Sequence, residues 1–85
     1  MIEDLKELLK ENECLLADGF DEALIGITDN GNNVAVYDSR KCIEILMERD
    51  SMSKDDAYEF FSHNVIGSYV GDKTPVFVNL SFVLF

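Results

Sequence analysis

Residues 23 to 38 read ALIGITDNGNNVAVYD, two short β-type runs on either side of Asp29-Asn30-Gly31-Asn32. Asn, Asp and Gly accept positive φ or bond their own backbone, so the quartet turns the chain back and predicts a hairpin. Ala23, Ile25 and Ile27 would share one face of its first strand, and Val34 and Val36 one face of the second. A lone hairpin is marginal in water, so the flanking segments must cover one of its faces.

Those segments have helical spacing. In IEDLKELLKENECLL (2–16), Ile2, Leu5, Leu8, Leu9, Leu15 and Leu16 recur at steps of three and four with charges between them, which predicts an amphipathic helix stopped by Asp18-Gly19. In RKCIEILMERD (40–50), Cys42, Ile43, Leu46 and Met47 form one stripe that Ile45 widens, with Asp38 or Ser39 available as cap. A break at Asp50-Ser51 precedes a third start, with Ser53 as cap and Asp55 and Asp56 near the positive end of the dipole. Ala57, Phe60, Phe61, Asn64 and Val65 carry the third helix to Ile66 or Tyr69; Gly67 admits close packing and Gly71 ends the element. Beyond Thr74-Pro75 the chain becomes extended. The run VFVNLSFVLF would place Val76, Val78, Leu80, Phe82 and Leu84 on one side of a closing strand.

The expected fold is therefore a single α+β domain over residues 1–85, in the order α-β-β-α-α-β. Its three-stranded sheet is expected to be small and mainly antiparallel, with helices packed on one face, and the last strand pairs with a hairpin strand. Hydrophobic residues are 47% of the chain, enough for a core without metal or disulfide support. At 85 residues that core is small, hiding about 60–65% of the unfolded surface.

Charge narrows the partners. Seventeen acids against seven bases give −10, which repels nucleic acid phosphates and anionic lipid heads. Direct nucleic acid or membrane binding is not expected, whereas a basic protein suits the charge. No stretch approaches the roughly 18 apolar residues of a membrane span, and no basic, apolar leader opens the chain, so a soluble, non-exported protein is expected. Cys14 and Cys42, each among aliphatic neighbours, fit reduced thiols in a core.

Reactive chemistry finds little support. His63 is the only imidazole; a Cys–His dyad would need a thiol folded against it, yet neither cysteine has a basic cluster or a clear helix N-terminus nearby. One His and two separated Cys lack the spacings of a zinc site, and Asp29, Asn30, Asn32 and Asp38 lack EF-hand register. Gly67-x-x-x-Gly71 lies at a helix end, the wrong terminus for a phosphate. No catalytic residue, metal or cofactor is assigned. Glu3, Glu7 and Glu11 form a row about 6 Å apart per step that could imitate a phosphate backbone, although Lys6 and Lys10 make it a mixed, solvated face.

Three stretches, DGFDEALIG (18–26), YDSRKCIEILMERD (37–50) and DAYEFFSHNVIGSYVGDKTPVFV (56–78), resemble a family of short, acidic proteins encoded by tailed bacteriophages, cyanobacterial and environmental ones included. The family has no established activity. Ser51 stands where glycine is expected before Met-Ser, and His63 where an aromatic residue is usual. The resemblance implies an accessory protein made in the cytoplasm of an infected bacterium, which binds a host protein and inhibits or redirects it without catalysis. Candidate contact residues are Glu3, Glu7 and Glu11 on the first helix and Leu80, Phe82 and Leu84 on the last strand. The alternatives are a homo-oligomer, such as a dimer joined through a sheet edge by the C-terminal strand, and a DNA mimic that inhibits a nucleic-acid-binding protein.

Overall fold

A computed structural model describes residues 2–29, 31–66 and 71–80. Its elements are α1 (Ile2–Glu11), a 3-10 turn (Asp21–Ala23), β1 (Leu24–Ile27), β2 (Ala35–Asp38), α2 (Ser39–Arg49), α3 (Lys54–Phe60), a π-helical continuation (Phe61–Ile66) and β3 (Val76–Val78). The α+β class, the element order and the three-stranded sheet are as expected.

The first helix stops five residues before Leu16. Glu13 turns left-handed at φ 59, its N–H meets Lys10 O at 3.0 Å, and the N–H of Cys14 meets Leu9 O at 2.9 Å. This is the paired-bond closure that usually employs glycine, here built on a glutamate. Gly19, read as the stop, is indeed left-handed at φ 87, but it serves the turn after residues 14–18. There its carbonyl accepts a 3.0 Å bond from Arg49 Nη1, and the Arg49 guanidinium lies 5.5 Å from the Phe20 ring centre.

In the hairpin, Leu24 pairs with Tyr37, Gly26 with Val36 and Ile27 with Ala35, with a bulge between Leu24 and Gly26. An extra residue in one strand inverts the alternation beyond it. Leu24 and Ile27 therefore both reach the core, while Ile25, expected beside Ala23 and Ile27, is 46% exposed. In β2 the inward residues are Ala35 and Tyr37, so Val36 falls on the opposite face. Thr28 closes the loop: its N–H meets Val34 O at 2.9 Å and its Oγ1 accepts from Val34 N at 3.0 Å.

The sheet order is β1-β2-β3, and β3 joins β2 in parallel. The sheet is thus mixed, one antiparallel pair and one parallel pair, where a mainly antiparallel sheet was expected. The cause is the connection: two helices lie between β2 and β3, and such a crossover returns the chain in its original direction. β3 is also shorter than its apolar run. Asp38, paired with Val78, is the end of β2 and caps α2 by accepting from Arg40 N at 3.0 Å, so no partner backbone remains beyond it. Ser39 Oγ instead donates to Val78 O at 3.0 Å, and Asn79 and Leu80 lie outside the strand.

Helices cover one face of this sheet. Leu9 of α1, Cys42, Ile43, Ile45 and Leu46 of α2, Ala57 of α3 and Phe61 pack with Leu24, Ala35 and Tyr37 in one apolar cluster, and Phe77 of β3 lies against it. Tyr37 is fully buried, stacks on Phe77 at 5.5 Å, and its hydroxyl accepts from Ala17 N at 2.8 Å. Phe61 meets Phe77 edge-on at 5.2 Å, and each such ring pair is worth about 0.5–1.5 kcal/mol beyond area burial. Ser53 caps α3 as expected, its Oγ accepting from Asp56 N at 3.1 Å.

Candidate functional site

The reactive side chains lie apart. Cys42 is fully buried under α2, and burial, with the Asp38 carboxylate adding to it, pushes its thiol from 9.0 up to about 12. Cys14 is buried where the hairpin loop meets the 71–74 turn; its Sγ donates to Asn33 O at 3.0 Å, and Lys73 Nζ donates to the same oxygen at 3.0 Å. His63 is exposed on the π stretch, with Nδ1 2.9 Å from Glu59 O. A carbonyl only accepts, so Nδ1 is the donor in this contact. Among the described residues no group of three His, Cys, Asp or Glu side chains is arranged to hold a metal ion.

The acidic row of α1 is exposed at Glu7 and Glu11; Glu3 belongs to the same helix, but its side chain lies outside the described residues. Lys6 leaves this row to pair with Asp21 at 2.9 Å, tying α1 to the 3-10 turn. The early stop at Glu13 limits the row to three carboxylates at most. At the other end of the chain Leu80 is 45% exposed just past β3, whereas Phe82 and Leu84 lie outside the described residues. Of the candidate contact residues the structure thus describes the side chains of Glu7, Glu11 and Leu80, each exposed.

What it does bring together is a surface the sequence did not single out. Ala57, Phe61 and Val65 turn one side of α3 and its π continuation into the core. The next residue round, Phe60, is 38% exposed and, with Met52, lines a depression bordered by Asp56, Glu59, His63 and Asn64. π-winding is rare in proteins and is found disproportionately at functional positions. Here the last two carbonyls of α3, of Glu59 and Phe60, take His63 Nδ1 at 2.9 Å and Asn64 Nδ2 at 3.3 Å of the π stretch as partners, which lays both side chains back along the helix as a wall.

Asn64 also lines a separate, neighbouring cleft of about 340 Å³. Its floor is apolar, built from Leu15, Leu16, Val65, Pro75 and Phe77, and Asp18 stands at its border. The two hollows adjoin at Asn64; together, as the groove beside α3, they have an apolar part with Asp18 in its lining and a second part lined by Asp56 and Glu59. The ion pairs of the described residues are Lys6–Asp21, Arg40–Glu44, Lys41–Glu44 and Arg49–Asp50, so Asp18, Asp56 and Glu59 are in none of them. Another hollow beside α3, of about 250 Å³, has Arg40, itself paired with Glu44, beside Tyr58 and Ile66.

Sequence reasoning placed Phe60 with Phe61 at helical steps and missed its exposure. The available signal was the Phe60-Phe61 adjacency itself, because neighbours on a helix point about 100° apart.

No family model, no curated protein and no solved structure matches the chain. No helix of the described residues is long and apolar enough to cross a membrane.

Proposed function

We propose that this chain is a protein-binding domain, an accessory product of a tailed phage that acts in the cytoplasm of the infected bacterium by inhibiting or redirecting a host protein. Its activity resides in the shape and charge of its exterior and not in a reactive group. The observation that carries this reading is the pair of adjoining hollows beside α3, one largely apolar, whose carboxylates Asp18, Asp56 and Glu59 are in no ion pair with the described residues. Contiguous apolar surface rimmed by polar groups marks interaction sites on small soluble domains. A net charge of −10 favours a partner with a positive face and disfavours nucleic acid or anionic lipid.

Tagged protein expressed in the native bacterium, captured and quantified, tests this. One stoichiometric partner is expected; repeated recovery of the bare protein overturns the proposal.

A second reading has one observation in its favour. Among the described residues β3 is paired on one side, with β2, and its Val76 is 39% exposed, so a second copy could add a strand at the other side. Light scattering separates the readings: a dimer that becomes monomeric when residues 80–85 are removed favours self-association, and a monomer in both cases excludes it.

A further inference from the structure

We infer that the groove beside α3 receives a basic amphipathic segment of the partner protein, with apolar side chains seated on Leu16, Val65 and Phe60 and lysines or arginines reaching Asp18 at one end and Asp56 and Glu59 at the other. This rests on the protein-binding reading above and assigns it a place and a chemistry.

Charge complementarity selects the occupant. An acidic apolar segment would set its carboxylates against Asp18, Asp56 and Glu59, and like charges face to face oppose docking. A second copy of this chain meets the same objection, since each copy carries −10. A purely basic segment would satisfy the rim and leave the apolar floor wet. Only a segment with both features uses the whole groove, the manner in which amphipathic helices dock through apolar anchors with charges at the edge. The floor is prepared for it: Val65 and Phe77 are fixed by packing against the core, and His63 and Asn64 are held by their own helix carbonyls, so little side-chain freedom is lost on binding. Lys54, the one base of α3, is outnumbered there by Asp55, Asp56 and Glu59.

The test uses the isotope-labelled protein and three synthetic peptides of equal length: one with leucines on one helical face and lysines on the other, one with each leucine replaced by serine, and one with each lysine replaced by glutamate. The inference expects the leucine–lysine peptide alone to bind, with amide shifts centred on Leu16, Phe60, Asn64 and Val65. The double variant Asp56→Lys/Glu59→Lys should weaken that binding about tenfold, two exposed contacts of under about 1 kcal/mol each turned repulsive. Asp4→Lys/Glu7→Lys on α1, with the same change in net charge but neither residue in the lining of the groove, should change it less than about twofold, exposed charges away from the contact being screened by salt. Retained amide dispersion in each variant establishes that it is folded. Equal binding of the serine–lysine peptide, shifts centred on α1, an equal effect of the two double variants, or no binding by any peptide overturns the groove as the site. A host partner that is captured and protects α1 instead would leave the protein-binding reading standing while removing this one.

Discussion

Replacing Ser51 by glycine should stabilise the protein, and the size of the gain follows from the turn between α2 and α3. Asp50 closes α2, its N–H meeting Leu46 O at 3.1 Å, and Ser51 then turns left-handed at φ 56 before half-buried Met52 packs against the core. An L-residue held in that region costs about 1–2 kcal/mol through crowding of its Cβ, which glycine does not incur. Against this, glycine makes the unfolded chain more flexible, a loss of about 0.5–1 kcal/mol. The Ser51 side chain is exposed, so its removal sacrifices no packing. The net expectation is a gain of about 0.5–1 kcal/mol, or roughly 2–8 °C in Tm for a domain of this size. Thermal melts and urea titrations read it directly, with an unchanged m value showing that the unfolded state is comparable. Ser51→Ala is the control and should bring no gain, because it keeps the Cβ. A Tm for Ser51→Gly equal to or below that of the parent, at constant m, refutes the reasoning.

Three further perturbations test the interior. Tyr37→Phe removes the acceptor of the Ala17 N–H while leaving the ring stack, and should cost about 1–2 kcal/mol in urea unfolding. Gly19→Ala imposes a Cβ at φ 87 and 2.5 Å from Arg49 Nη1; a loss of about 1–2 kcal/mol from the backbone is expected, together with loss of the Arg49 contacts to Gly19 O and the Phe20 ring. Stability should also fall above pH 9. The unfolded Cys42 thiol gives up its proton near 9.0, while the buried one keeps it to about 12, so rising pH draws the equilibrium toward the unfolded chain by up to about 1.4 kcal/mol per unit in that window. Burial raises Tyr37 as well, which adds a fall of the same sign above 10.0. Cys42→Ala should flatten the slope between pH 9 and 10 in pH-dependent denaturation, and an unaltered slope contradicts the assignment.

Local chemistry made most of the fold legible. Ser53 is legible as a cap, the cap of α2 narrows to Asp38 or Ser39, of which Asp38 takes it, and Asp29-Asn30-Gly31-Asn32 leaves a hairpin as the economical outcome. The departures arise where a tertiary contact overrode a local preference. Glu13 closes α1 in a conformation that its side chain disfavours, and Cys14 is then anchored on Asn33 O, a contact from 19 residues away that periodicity cannot register. The bulge at Ile25 breaks alternation inside a run that reads as regular. The parallel entry of β3 depends on where two intervening helices deliver the chain. Of the candidate surface, the acidic row on α1 was readable because it lies within one helix. The groove was not, because it joins residues 15–18, α3 with its π continuation, and β3, three segments that meet only in the folded protein.

The proposed function places the activity on the exterior beside α3 and not in a buried thiol. Capture from the native bacterium with three baits decides it: the parent chain, Cys42→Ala, and Asp56→Lys/Glu59→Lys. The account predicts one partner retained equally by the first two baits and lost from the third. Retention by the third bait at the level of the parent, or loss from a folded Cys42→Ala bait alone, would contradict it.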